Sequence, residues 1–146
     1  MKKVLLGILY WIDQLTWGLL MTFIGAITTL VCILFFKGKV HRNGYSLITE
    51  VGDNWGGLSL GAFSFCGGYT TTCIDEDWFQ QTRKHEFGHS LQNLYLGPLF
   101  PFVVSIPSAI RYQLDMKGKL KRDYYAIWFE KYATSQGVRA IDWIES

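Results

Sequence analysis

Charged side chains make up only 18% of this 146-residue chain, and the formal net charge is +2. That balance leaves no electrostatic footprint for a nucleic-acid partner, and no stretch interleaves basic and aromatic residues in an RNA- or DNA-binding pattern. Cysteine is scarce, with three in all. An odd and sparse count argues against a disulfide scaffold. Cys32 sits in an apolar run, while Cys66 and Cys73 flank Gly-Gly-Tyr-Thr-Thr-Thr and could meet across a turn. No C-x-x-C occurs, which argues against a cysteine-rich zinc site. There are also no internal repeats and no low-complexity segment.

Apolar residues are abundant instead: 49% of the chain is hydrophobic and 16% aromatic. The length suits one domain with one modest core. After Met1-Lys2-Lys3 comes an apolar stretch, Val4 to Ile12, then Asp13-Gln14, then a charge-free run from Leu15 to Phe36. As a helix that run is roughly 33 Å long, enough to cross a bilayer core of about 30 Å. It is too long for a signal-peptide core, and no A-x-A cleavage site follows it. The expectation is a retained membrane anchor over 1–36 in contact with lipid; the alternative is a buried hydrophobic helix in an oligomer. Lys37, Lys39 and Arg42 follow at once and favour a cytoplasmic location for the rest, 37–146, although Lys2, Lys3 and the amino terminus oppose them. The basic loop Lys117, Lys119, Lys121, Arg122 is either a membrane-proximal patch or a solvated connector.

Beyond the anchor the pattern is α+β. Tyr45 to Val51 and Leu58 to Phe65 read as the two strands of a β-hairpin, with Gly52-Asp53-Asn54-Trp55-Gly56-Gly57 as the turn and Gly61 as a bulge or close approach. A helix is expected from about Asp77 to Leu96, opened by Asp75-Glu76-Asp77 and stopped by Gly97-Pro98. Leu99 to Ile110 is apolar and should be buried or dip into the membrane from one side. Asp123 should cap a helix from Tyr124 to about Ser135, with Gly137 as its stop and a short tail after it.

The middle helix carries His85-Glu86-Phe87-Gly88-His89, an H-E-x-x-H sequence. Residues four apart on a helix lie on one face, so two imidazoles at this spacing can hold one Zn²⁺ while the glutamate serves as general base toward a water. The competing reading is a pair of histidines satisfied by hydrogen bonds in a core. Catalytic zinc wants a third protein ligand. His41 is the only other histidine and lies in the basic stretch after the anchor. Asp123 is better used as a cap, and Asp115 is placed in a loop beside Lys117. Glu130 is favoured because it is helical, flanked by apolar residues and followed by Ala133. Its alternative use is a surface pair with Lys131 or Lys84.

The segments His85-Glu86-Phe87-Gly88-His89-Ser90-Leu91-Gln92, Leu96-Gly97-Pro98-Leu99, Ile106-Pro107-Ser108 and Trp55-Gly56-Gly57-Leu58-Ser59-Leu60-Gly61 resemble those of a group of small bacterial and phage proteins. The pattern of that group is roughly H-E-[YF]-G-H-x-x-Q, L-G-P-L-Y, G-[LI]-P-S, W-G-x-x-S-L-G and E-x-x-A-D, the last similar to Glu130-Lys131-Tyr132-Ala133. The resemblance implies a zincin-like metallopeptidase of the glutamate-zincin kind, acting on a peptide or protein substrate, with Glu86 catalytic and His85, His89 and Glu130 on the metal. The chain departs at Thr134, where the pattern has an aspartate that can orient a histidine; the departure lowers the expected metal affinity and turnover. Intramembrane proteases of the site-2 type also carry H-E-x-x-H, but no aspartate motif follows here in an apolar helix. The alternative function is a catalytically inactive metal-binding membrane protein that binds a partner along the hairpin edge.

Overall fold

The computed structural model describes residues 1–52, 56–67 and 76–146. Cys73 and Asp75, and Asp53, Asn54 and Trp55 of the expected Gly-rich turn, lie outside the described residues. The architecture is α+β: among the described residues there are five α-helices and a four-stranded sheet in the order β1-β2-β4-β3.

The apolar start forms two helices, α1 (Lys2–Gln14) and α2 (Leu19–Phe36), broken between Leu15 and Gly18. Gln14 accounts for the polar interruption noted in the sequence. It is buried, donates from Nε2 to the Ser90 carbonyl at 3.0 Å, and accepts at Oε1 from Asn93 Nδ2 at 2.7 Å and Thr22 Oγ1 at 2.9 Å. Both N-terminal helices are thereby tied to the helix that carries His85. The second, α2, is long and apolar enough to cross a membrane, with one face buried through Met21, Thr22, Gly25, Thr29 and Cys32.

The single expected hairpin is two. β1 (Lys39–Asn43) pairs antiparallel with β2 (Ser46–Glu50), and β3 (Gly57–Leu60) pairs antiparallel with β4 (Phe63–Cys66), while β2 and β4 run parallel. Leu58 to Phe65 is therefore not one strand. Gly61, at φ +65°, turns the chain back on itself, a conformation glycine adopts without steric cost. Alternation sends Ile48, Ser59, Ser64 and Cys66 to one face and Thr49, Phe63, Phe65 and Leu60 to the other. The first face meets α3: Ser59 Oγ donates to the Glu86 carbonyl at 3.1 Å, and Ile48, Cys66 and Phe79 cluster there. The second face meets α2, where Gly25 lies against Leu60 and Phe63. The sheet is thus a layer between α2 on one face and α3 on the other.

α3 spans Glu76–Leu96, with two acids in its first turn, and stops at Gly97-Pro98 as expected. The chain then bends by 115° into a π-helical turn (Pro101–Ser105) and α4 (Ile106–Met116). Phe100 and Val104 are buried, whereas Leu99, Phe102, Ile106 and Ile110 are exposed. Asp115 is helical, within α4, rather than in a loop.

Two corrections concern the C-terminal helix. Asp123 Oδ1 accepts from the Tyr125 backbone N–H at 3.1 Å, but what it caps is a short 3₁₀ turn (Tyr124–Ala126). The helix proper, α5, begins at Trp128 and continues through Gly137 to Glu145. Gly137 is no stop: it is buried in mid-helix, where an added Cβ would lie 1.8 Å from the Lys84 carbonyl oxygen. One turn earlier, a Cβ on Gly88 would lie 1.9 Å from the carbonyl oxygen of Ala133. Small residues on both helices therefore let α3 and α5 cross nearly backbone to backbone.

Candidate metal centre

The close crossing of α3 and α5 puts Glu130 opposite His85 and His89. Glu130 Oε2 lies 3.0 Å from His85 Nε2 and 3.2 Å from His89 Nε2, and the two imidazole nitrogens are 3.1 Å apart. Glu130 is fully buried, and the side chains of His89 and His85 are 7% and 11% exposed. Among the described residues this is the one His/Cys/Asp/Glu group whose donor atoms converge closely enough to hold a metal ion.

The ring tautomers follow from the partners of each Nδ1. Gln92 Nε2 donates to the Phe129 carbonyl at 2.7 Å, which fixes the amide and turns Oε1, an acceptor, toward His89 Nδ1 at 2.8 Å. His89 therefore carries its proton on Nδ1. Thr134 Oγ1 donates to the Glu130 carbonyl at 3.1 Å and so accepts from His85 Nδ1–H at 2.9 Å. In the neutral state both Nε2 atoms then present lone pairs toward one carboxylate oxygen. Three such atoms at these separations can be satisfied by a cation between them or by a proton on an imidazole Nε2. Ligand atoms on a tetrahedral ion at about 2.0–2.1 Å are about 3.3 Å apart, so the triangle fits a small divalent metal. Two imidazoles and a carboxylate suit several first-row ions.

Thr134 stands where an aspartate was expected, and it holds His85 by the hydrogen bond an aspartate would have supplied. A hydroxyl accepts less strongly than a carboxylate, so the imidazole is oriented but made less basic. The sequence reasoning also missed two groups that act on Glu130. Ser108 Oγ donates to Glu130 Oε1 at 2.6 Å, and since its proton is committed there, Tyr124 Oη donates to Ser108 at 2.5 Å. This relay occupies Oε1 and leaves Oε2 to the histidines. Gln92 stood in the quoted H-E-x-x-H-x-x-Q segment and Ser108 in Ile-Pro-Ser, which were the available signals; nothing local marked Tyr124. Glu130 is no surface residue, and Lys84, one of the alternative partners considered for it, pairs instead with Asp142 Oδ1 at 2.6 Å. His41 pairs with Glu50 at 3.2 Å and takes no part in the group.

Electrostatics separate the two glutamates. Burial alone would raise the Glu130 carboxyl, but hydrogen bonds from His85, His89 and Ser108 and the charge of His89 hold it far below the usual carboxylate range. Glu86 is raised, chiefly by burial, with His89 and His85 pulling it down and Glu130 pushing it up. Its Oε2 is buried and has no hydrogen-bond partner among the described residues, and its side chain rests on Gly57 of β3, where a Cβ would lie 2.1 Å from Oε1. A carboxyl with a raised proton affinity and one such free oxygen is suited to exchanging a proton with a bound molecule. For His89, burial disfavours the charged form, but the hydrogen bond to Glu130 and the charges of Glu86 and Glu130 outweigh it, and the net shift is upward.

His85, Glu86 and His89 line a cleft of about 660 Å³. Its near wall is β3, an edge strand of the sheet. The Gly67 N–H donates to the Gly56 carbonyl at 3.3 Å, and the register then turns the backbone groups of Gly57 and Ser59 away from β4. The far wall is α4, with Ser105, Ser108 and Tyr112, and aromatic surface comes from Trp78 and Tyr125. The Tyr125 ring stands edge-on to His85 at 5.3 Å between centroids.

Compared with protein-family models, curated proteins and solved structures, the chain matches none.

Proposed function

We propose that the protein is a membrane-anchored zinc metallopeptidase of zincin-like design, with His85, His89 and Glu130 as metal ligands and Glu86 as general base. The observation that carries the reading is the convergence of two imidazole Nε2 atoms and one carboxylate oxygen at 3.0–3.2 Å, beside Glu86 on the same cleft, whose Oε2 has no hydrogen-bond partner among the described residues. A zinc ion held by these three residues supplies Lewis acidity, polarising a carbonyl and making water more acidic.

The chain's own groups account for the remaining chemistry. An extended peptide adds to β3 through the outward backbone groups of Gly57 and Ser59, which fixes its register beside the histidines. The aromatic walls at Trp78, Tyr112 and Tyr125 favour a bulky apolar side chain. Glu86 takes a proton from the attacking water and returns it to the leaving amine; its raised affinity for the proton suits it to both steps. Ser108 and Tyr124 hold the Glu130 carboxylate in one orientation throughout.

The test uses the full chain purified in detergent. Close to one equivalent of zinc is expected, and His89→Ala should remove it. Glu86→Gln should retain the metal and lose cleavage of an apolar peptide library. Only trace metal, unchanged by His89→Ala, would refute the centre. Retained metal with no cleavage by the unsubstituted chain would leave a metal-binding module rather than an enzyme.

A further inference from the structure

The outer wall of the cleft has two faces of opposite character. Ser105, Ser108, Tyr112 and Asp115 point into the cleft. Leu99, Phe102, Ile106, Ile110 and Leu114 recur at three- and four-residue intervals on the opposite side, and all are exposed, Phe102 to 68% and Ile110 to 56%. α4 has no buried residue. No charged residue occurs between His89 and Arg111. A contiguous apolar stripe of this kind marks an interaction surface rather than a solvated one.

Two further observations identify what covers it. Phe100 and Val104, at the root of the stripe, pack in one cluster with Met21 of α2, so the stripe adjoins the helix that is apolar enough to span a bilayer. The stripe ends in Lys117, Lys119, Lys121 and Arg122, all exposed, and the only acids in the sequence between Arg111 and Tyr124 are Asp115 and Asp123. Such a basic end complements anionic lipid headgroups. At 11 residues α4 is about 17 Å long, too short to cross a hydrocarbon core of about 30 Å. The 115° bend before it turns the chain back rather than onward.

We propose that α4 is an interfacial helix. Its Leu99–Leu114 stripe lies in the headgroup–acyl boundary of an anionic bilayer, Lys117 to Arg122 sit on lipid phosphates, and the cleft consequently opens at the membrane surface. This seat requires neither metal nor turnover, so it stands or falls separately from the peptidase reading.

The experiment reconstitutes the full chain in nanodiscs of phosphatidylcholine and phosphatidylglycerol. Spin labels are placed by Ile106→Cys, Ile110→Cys and, on the polar side of α5, Ser135→Cys, with the signal from the native cysteines subtracted using the unsubstituted chain. The labels at 106 and 110 should collide at least threefold more with oxygen, relative to a water-soluble nickel chelate, than the label at 135. Removing the anionic lipid should move them toward the chelate. Equal accessibility at all three positions would mean that the stripe is solvated and would overturn the proposal. Protection of 106 and 110 from both reagents would also overturn it, because a second copy or another protein would then be the cover. Labelling at two positions guards against local misfolding, since one tolerated variant suffices.

Discussion

The two helical sides of the cleft are held in different ways. On one side α3 and α5 cross with carbonyl groups against Gly88 and Gly137, and every ligand-bearing side chain has a second hydrogen bond that fixes it. On the other side α4 buries none of its residues and is tied back by polar side chains: Ser108, which bonds Glu130 and Tyr124, and Arg111, whose guanidinium donates to the Asp123 and Tyr124 carbonyls at 2.9 and 3.0 Å. His85, His89 and Glu130 thus sit where packing leaves them no alternative. The α4 wall is under no such constraint, and its outer face is left to the surroundings.

This contrast predicts a graded series of effects. The largest should come from Gly137→Val, which forces a branched side chain against the Lys84 carbonyl. Overpacking of this kind costs about 3 kcal/mol or more, read as a lower midpoint of thermal unfolding in detergent together with loss of bound metal. If Gly137→Val were tolerated with the metal retained, the close crossing would not be what positions Glu130.

Next come the groups that orient the histidines. Gln92→Leu and Thr134→Val should each weaken zinc binding about 10- to 100-fold, measured by chelator competition, while the fold survives. Thr134→Asp should strengthen binding relative to the unsubstituted chain, because a carboxylate is the better acceptor for His85 Nδ1–H. No gain from that substitution would show that the threonine already does all that the position can do.

Smaller again is the bidentate pair between Arg83 and Glu145, at 2.8 Å on both arms. Glu145 is held below its ordinary carboxylate value of 4.5, first by the hydrogen bond from Arg83. A lowered carboxylate stabilises the fold above its unfolded value and ceases to do so as pH falls through the folded one. Glu145→Gln should therefore cost under about 1 kcal/mol near neutrality, and the difference should vanish well below pH 4. Least of all, Tyr112→Ala on α4 should change stability by no more than about 0.5 kcal/mol and leave metal content unchanged. A large loss in either property would mean that the α4 wall is structural after all.

Much of the centre was legible because the information is local. The four-residue spacing of His85 and His89 fixes a common helix face, the acids at Glu76 and Asp77 and the Gly97-Pro98 stop bound that helix, and Glu130 was singled out by a carboxylate among apolar neighbours. The strands were half legible. The turn at Gly61 was visible as a glycine, but a glycine alone does not say whether a strand bulges or reverses. Nor does a strand's own sequence reveal that β2 and β4 lie side by side in parallel, a pairing between segments far apart in the chain. Gly137 was misread for a similar reason: glycine ends helices in isolation, and only the approach of the Lys84 carbonyl makes it the residue that lets one continue.

By itself, then, the sequence determined the charge-free N-terminal run and the helix that carries His85, Glu86 and His89, and it marked Glu130 as the favoured candidate for a third donor. Those depend on periodicity and side-chain chemistry along one segment. The tertiary structure decided that Gln14 ties α1 to α3 and that Gly88 and Gly137 bring Glu130 within 3.2 Å of both imidazoles. It also decided that Thr134 takes the orienting position an aspartate was expected to hold, and that Ser108 and Tyr124 select one carboxylate oxygen. Each is a contact between segments distant in sequence, where distances of a few tenths of an ångström set the outcome and no local pattern records them.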